Sequence, residues 1–164
     1  MIRLIILDVD GCLTDGRIIY TEKGDEVKAF NVKDGLAIKS WLRMGGEVGI
    51  ITGRRSDIVR RRAEELGIRH LYQGVKDKGA KIRELAGELG IDLEHVAAIG
   101  DDLNDYRMLR MVGASFAPRD ASAYITAIVD TVLEQKGGDA AVREMIETIV
   151  KAQGGEEAFL AFWQ

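Results

Sequence analysis

The sequence predicts an α/β protein, a parallel β-sheet with helices on both faces. Three observations carry this. Short apolar runs recur as Leu4–Leu7, Val48–Ile51, Val96–Ile99 and Ala114–Ala117. Stretches with helical spacing of apolar residues separate them, and polar clusters follow directly after several runs. A strand covered on both faces reads as a continuous apolar run. Alternation of such strands with helices is the pattern of parallel strands joined by helical crossovers.

The elements follow in order. Leu4–Leu7 is a first strand. Arg17–Tyr20 and Val27–Phe30 flank Thr21-Glu22-Lys23-Gly24-Asp25-Glu26, which reads as a hairpin with a glycine-containing loop. Leu36, Ile38 and Leu42 mark a helix over Gly35–Arg43, stopped by Gly45-Gly46. Val48–Ile51 is the next strand. Ser56 is placed to cap a helix whose buried stripe is Ile58, Val59, Ala63 and Leu66, with Gly67 ending it. Leu71-Tyr72 is a brief strand. Asp77 opens a helix with Ile82, Leu85, Ala86 and Leu89 inward. Val96–Ile99 is a strand, Leu103–Val112 a helix and Ala114–Ala117 a strand. Ile128-Val129 adds an edge strand. Val142, Met145, Ile146, Ile149 and Val150 space out a last amphipathic helix.

Composition narrows the function. A chain of 164 residues with 46% hydrophobic content is expected to form one domain, 1–164, with a real core. Net charge is −4 with both signs dispersed, so there is no basic footprint for nucleic acid. An anionic substrate would have to be held by local cations. No run approaches a membrane span, and no apolar leader with a cleavage site opens the chain. Cys12 is the one cysteine and cannot form an internal disulfide, which fits a reducing cytoplasm. Pro118 is the only proline, and no linker or repeat divides the chain.

Chemistry collects where strands end. After the first strand comes Asp8-Val9-Asp10-Gly11, two carboxylates two residues apart. Residues i and i+2 of an extended chain share a side, so both acids can face one site. A bare pair would repel unless a cation or a shared proton compensates. Thr52-Gly53-Arg54 follows Val48–Ile51, and Gly100-Asp101-Asp102-Leu103-Asn104-Asp105 follows Val96–Ile99. Ligands of open α/β sheets bind at this carboxyl edge. Lys78, in the first turn of its helix, can reach the same rim. Carboxylates, a hydroxyl, a lysine and an arginine together suit phosphoryl transfer, which needs positioning and charge neutralisation.

The ordered motifs, DxDG followed by TD, then TG, then a lysine, then GDDxxD, resemble the haloacid dehalogenase superfamily of phosphatases. A closer resemblance is to phosphatases of 3-deoxy-D-manno-octulosonate 8-phosphate. It rests on Asp8–Asp15, Phe30–Gly35, Ile50–Arg54, Tyr72-Gln73-Gly74, Gly100–Asp105, Gly137-Gly138 and Ala141-Val142-Arg143-Glu144, and covers about Leu4 to Lys151. The resemblance implies a Rossmann-like fold with a β-hairpin flap, residues 17–30, in place of a cap domain, and a C-terminal tail, 153–164. It implies Asp8 as nucleophile through an aspartyl-phosphate, Asp10 as acid and base, and Thr52 and Lys78 on the phosphoryl group. Mg²⁺ would be held by Asp8, Asp10 (through its backbone carbonyl) and Asp101. Asp105 would orient the metal ligands or Lys78 from the shell around them, and Asp102 would belong either to that shell or to the helix N-terminus. Around the sugar it implicates Asn31, Val32, Lys33, Asp34, Gly35, Gly53, Arg54 and Arg62.

Arg54 offers a bidentate fork for a 2-keto acid carboxylate. Related phosphatases of the nine-carbon nonulosonate phosphate tend to carry glutamate there, so Arg54 favours the eight-carbon sugar. The resemblance also implies a homotetramer built through the hairpins. The apolar tail Phe159–Trp163 is open to two placements, on a neighbour's site or on its own core. The chain departs from the family at Lys39, usually arginine, at Gly138-Asp139-Ala140, usually Gly-Arg-Gly, and at Cys12, usually a small aliphatic residue. The competing readings are a phosphatase for the nonulosonate or another small sugar phosphate, a non-catalytic assembly domain, and a phospho-accepting receiver. Intact Asp8, Asp10, Thr52, Lys78 and Asp101 argue against the assembly domain, and the second acid at Asp10 with the missing receiver pattern argues against the receiver.

Several features look chemical and read as ordinary. Cys12 has no histidine near it in sequence and is expected to pack. His70 and His95 lack metal-ligand spacing and belong to element ends. Gly79-Ala80-Lys81 fails the phosphate-loop pattern because Ala80 intervenes and no Ser or Thr follows.

Overall fold

A computed structural model describes residues 1–164. Six strands form one parallel sheet in the order β5-β4-β1-β6-β7-β8: β1 is Leu4–Leu7, β4 Glu47–Ile51, β5 His70–Tyr72, β6 Val96–Ile99, β7 Ala114–Ala117 and β8 Thr131–Val132. A separate antiparallel hairpin joins β2, Ile19–Tyr20, to β3, Glu26–Val27. The helices are α1 Val32–Arg43, α2 Asp57–Leu66, α3 Lys78–Glu88, α4 Tyr106–Leu109, α5 Ala123–Thr126, α6 Ala141–Ala152 and α7 Glu156–Ala161.

The centre of the sheet shows why a continuous apolar run becomes its middle strand. β1 pairs with β4 on one side and β6 on the other, and all four of its residues are fully buried. Successive side chains leave by opposite faces. Ile5 and Leu7 join the core beneath α1, α2 and α6, with Trp41, Val59, Ala63, Met145 and Ile146. Leu4 and Ile6 join the core beneath α3, α4 and α5, with Ile82, Leu85, Met108 and Ile125. Each such buried Leu or Ile contributes about 1.5–3 kcal/mol of transfer free energy. A charge anywhere in β1 would disrupt one of the two layers. No helix is long and apolar enough to cross a membrane.

Four elements depart from the sequence reading. Helix α1 begins at Val32, not Gly35, because the Asn31 side chain accepts the Lys33 N–H at 2.9 Å and caps it. The expected helix over Leu103–Val112 is a 3₁₀ turn, Leu103–Asp105, followed by the short α4. Asp105 Oδ2 accepts the N–H groups of Asp101 and Asp102 at 2.9 and 3.3 Å, and this tightens the turn. The edge strand is Thr131–Val132, not Ile128-Val129. Asp130 Oδ2 bonds the Ser115 N–H and hydroxyl at 2.8 and 2.7 Å, setting the register one turn later. Ile128 and Val129 instead pack against the core. The hairpin strands are two residues each, shorter than the apolar stretches suggested.

The tail lies on its own chain. Phe159 is buried, and the Trp163 indole N–H donates to Ser40 Oγ at 3.1 Å. The Arg43 guanidinium sits 5.8 Å and 5.2 Å from the ring centres of Phe162 and Trp163. Ser40 and Arg43 lie at the C-terminal end of α1, away from the strand ends that carry the acids.

Candidate active site

β1 runs into an irregular turn over Val9–Leu13, in which Asp8 (φ −79°, ψ 159°) and Asp10 (φ −75°, ψ 112°) have extended backbone and Gly11 turns the chain at φ +95°. Both acids line one cavity at the carboxyl edge of the sheet. A Cβ on Gly11 would stand 1.9 Å from Asp101 Oδ2, so glycine is required both for the turn and for the approach of the β6 loop. The loop after Gly11 is held from above. Gly138 N–H donates to the Cys12 carbonyl at 3.0 Å, and a Cβ on Gly137 would meet the Gly11 carbonyl at 1.8 Å.

Lys78 is the hub. It sits at the first residue of α3 and is 2% exposed. Its ammonium donates to Asp8 Oδ1 at 2.7 Å and to Asp105 Oδ1 at 2.5 Å. Burial alone would pull the ammonium down, but the charges of Asp8 and Asp105 outweigh it and hold the lysine protonated. Asp105 is fully buried, and its other oxygen accepts the Asp101 and Asp102 N–H groups. It thereby fixes both Lys78 and the loop that carries Asp101.

The acids outnumber this lysine. Burial, then the Asp105 charge, push Asp8 up to about 6. Burial, then the Asp8 and Asp105 charges, push Asp101 up to about 8. Such carboxylates call for another cation. Ligand atoms of Asp8, Cys12 and Asp101 all lie within 4.8 Å of one another. Burial and then the Asp8 charge push the Cys12 thiol well up, so it stays protonated and is a poor ligand. The usable donors are the carboxylate oxygens of Asp8 and Asp101, a hard set that fits Mg²⁺ rather than zinc.

A cavity of ≈250 Å³ opens over these groups, lined entirely by Asp8, Asp10, Gly16, Thr52, Gly53, Arg54, Asp101, Asp102 and Asn104. Thr52 directly follows β4, its N–H donating to the Tyr72 carbonyl at 3.0 Å. Arg54 is on the rim, its Nε 4.0 Å from Asp10 Oδ2. Lys78 and Asp105 lie beneath. A larger cavity of ≈310 Å³ at the opposite end of the sheet, among Met1, Trp41, Met44 and Leu89, contains no cluster of acids.

The residues assigned to the sugar divide. Gly53 and Arg54 line the cavity; Asn31, Val32, Lys33, Asp34, Gly35 and Arg62 do not. Asn31 caps α1 and donates to the Gly138 carbonyl at 3.3 Å. Asp34 is 1% exposed and accepts the Arg143 N–H at 2.8 Å, tying α1 to α6. Val32 and Lys33 are exposed. Arg62 lies against this segment, 3.5 Å from the Asn31 carbonyl and 5.7 Å from the centre of the Phe30 ring. The sequence reading missed Glu26 and Lys28. Lys28 Nζ lies 2.5 Å from Asp10 Oδ1, and Glu26 Oε2 lies 3.4 Å from Arg54 Nη2. The signal was their spacing about Val27 on the second hairpin strand, which puts both on one side.

A departure from the family also has a structural consequence. Ala140 adopts φ +69°, ψ +26°, and is the one non-glycine residue at positive φ. The family's usual glycine at that position would sit there without strain.

A model of haloacid dehalogenase-like hydrolases matches residues 71–146. The 3-deoxy-D-manno-octulosonate 8-phosphate phosphatase KdsC of Escherichia coli K12 is 46% identical over 144 residues, 88% of this chain and 77% of that protein. The crystal structure of 3-deoxy-D-manno-octulosonate 8-phosphate phosphatase from Moraxella catarrhalis, in complex with magnesium, phosphate and KDO, matches with a TM-score of 0.96. Identity there is 45%, over 99% of this chain and 94% of that one. The cobalt-bound phosphatase from Haemophilus influenzae matches with a TM-score of 0.91 at 40% identity, over 95% and 92% of the two chains.

Proposed function

This chain belongs to the haloacid dehalogenase-like hydrolases, in the family of 3-deoxy-D-manno-octulosonate 8-phosphate phosphatases, and from that premise we propose that it hydrolyses this eight-carbon sugar phosphate to the free sugar acid and phosphate. The observation that carries the reading is the convergence of Asp8, Asp10, Thr52 and Asp101 on one cavity with Lys78 bonded to Asp8. Lys78 engages Asp8 Oδ1, which leaves Oδ2 to attack phosphorus. The ester P–O bond breaks with its electron pair on the sugar oxygen, and Asp10 supplies the proton. Asp8 then carries the phosphoryl group as a mixed anhydride. Asp10, now the base, takes a proton from water that attacks phosphorus and regenerates Asp8. Lys78 and the Thr52 hydroxyl steady the phosphoryl oxygens.

Mg²⁺ held by Asp8, the Asp10 carbonyl and Asp101 would supply the positive charge that these carboxylates and the phosphoryl oxygens lack. The relative from Moraxella catarrhalis with magnesium, phosphate and KDO supports both the metal and the product. Arg54 lines the cavity rim, and its bidentate fork suits the sugar carboxylate in this reading. Asp102 lines the cavity beside Asp101, and Asp105 orients Lys78. Residues 1–164 act as one domain in the cytoplasm, with the hairpin, 17–30, as flap and the tail, 153–164, packed on α1. The flap exposes Ile18, Ile19, Tyr20 and Val27, an apolar set suited to burial against other copies in a homotetramer.

The test is phosphate release with Mg²⁺ across sugar phosphates that include the eight- and nine-carbon 2-keto acids. Preference for the octulosonate phosphate is expected. Preference for the nine-carbon acid would overturn the substrate, and no release from any phosphate would overturn the enzyme. Light scattering is expected to give four times the 18.1 kDa chain mass.

A further inference from the structure

We propose that Lys28 is a positioning residue for Asp10: carried in on the hairpin, it pins one oxygen of that carboxylate and turns the other toward the cavity that receives the leaving group. This rests on the reading of Asp10 as the acid. Lys28 lies just beyond β3, two residues after Glu26, so both side chains point inward while Val27 faces out, 42% exposed. The Lys28 side chain is 1% exposed, with Nζ 2.5 Å from Asp10 Oδ1 and 3.0 Å from Glu26 Oε1. Arg54 closes the figure, Nη2 3.4 Å from Glu26 Oε2 and Nε 4.0 Å from Asp10 Oδ2. Two cations and two carboxylates thus alternate around a ring.

The ring sorts the two oxygens of Asp10. Arg54 lines the cavity and Lys28 does not, so Oδ2 faces the cavity and Oδ1 faces the hairpin. A carboxylate torsion is broad and roughly two-fold when nothing holds it. Proton transfer requires the donor oxygen within hydrogen-bond reach of the leaving oxygen. Lys28 removes the torsional freedom on the far side of that transfer. Glu26 Oε1, 3.0 Å away, balances the Lys28 charge. The hairpin, none of whose residues 17–30 lines the cavity, therefore reaches the reaction through Asp10.

The decisive variants are Lys28→Met, Lys28→Arg and Asp10→Asn, in the Mg²⁺-loaded protein. The readout is the single-turnover rate of leaving-group release. One substrate is the alkyl sugar phosphate identified by phosphate release, whose leaving oxygen needs a proton. The other is p-nitrophenyl phosphate, whose leaving group departs without one. Lys28→Met is expected to slow the sugar phosphate about tenfold or more, part of the roughly 10²–10⁴-fold that general acid–base catalysis supplies. It should change the nitrophenyl rate by less than about threefold, and Lys28→Arg should recover most of the loss.

Equal loss with both substrates, or no loss, overturns the proposal, as does an arginine variant no better than methionine. Asp10→Asn separates the two layers of argument. If it discriminates between the substrates and Lys28→Met does not, the lysine assignment alone fails. If it does not discriminate, the acid assignment of Asp10 fails and takes the proposal with it. Lys28→Met takes a shared cation from Asp10 and Glu26, so the rates are compared at a temperature where circular dichroism shows every variant folded.

Discussion

Asp34→Asn isolates the consequence of burying one carboxylate between α1 and α6. Asp34 is 1% exposed; its Oδ1 accepts the Arg143 N–H, while Oδ2 has no partner. Burial pushes its pKa from 3.8 to about 6, against the opposing pull of that N–H and of the Arg62 charge. A raised value means that the folded chain holds the proton more tightly than the unfolded chain. The contribution is therefore fully present below the unfolded value of 3.8 and is lost as pH rises through the folded value of about 6. The loss totals about 3 kcal/mol, from 1.36 kcal/mol per unit. About 1.4 kcal/mol of it falls between about pH 5 and pH 7.5.

Asparagine at this position does not titrate. Urea unfolding of both proteins at the two pH values, at matched protein concentration and ionic strength, gives a difference in which most other titrating groups cancel. The stability of the parent relative to the variant is expected to fall by about 1.4 kcal/mol on going to the higher pH. A difference that stays flat, or rises with pH, would refute the buried-carboxylate argument. Preserved turnover in Asp34→Asn would show that Asp34 serves the α1–α6 joint and not the sugar. A turnover defect without a stability difference would restore its place among the sugar contacts.

Three further outcomes are expected. Ala140→Gly should raise unfolding free energy by about 0.5–1 kcal/mol, the left-handed strain relieved less the added freedom of the unfolded chain; an unchanged or lower denaturation midpoint would count against the strain. Lys78→Met should remove activity and destabilise by about 3–5 kcal/mol, because Asp8 and Asp105 lose their shared buried cation; normal chemical denaturation would contradict the ion-pair geometry. Asp8→Asn should abolish turnover while circular dichroism stays that of the parent, and near-normal phosphate release would falsify the nucleophile assignment.

The frame of the candidate site was legible in the sequence for a physical reason. An apolar run must become a buried central strand, and acids placed directly after it must emerge at the carboxyl edge of the sheet. Asp8, Asp10, Thr52 and Asp101 are all tied to strand ends in this way, so short-range pattern was enough to bring them together. The motif order added Lys78, which local pattern alone cannot distinguish from a surface lysine. The ring around Asp10 could not be read so directly. It joins residues 10, 26, 28 and 54, and only the fold of the hairpin across the strand ends makes them neighbours.

The same division holds elsewhere. Alternation of buried strands and amphipathic helices determined the α/β sheet, since each element has one economical way to hide its apolar face. Side chains that bond across distant segments were decided only in three dimensions. Asp130 on Ser115 moved the edge strand, Asp105 tightened the turn after β6, and Arg143 on Asp34 drew a motif residue beneath the surface. The tail shows the point most simply. Its apolar residues required cover, but the choice of α1 depended on Ser40 and Arg43 standing where Trp163 and Phe162 could reach them, more than a hundred residues away along the chain. Local sequence sets what each segment must bury; long-range contacts between polar groups set where it goes.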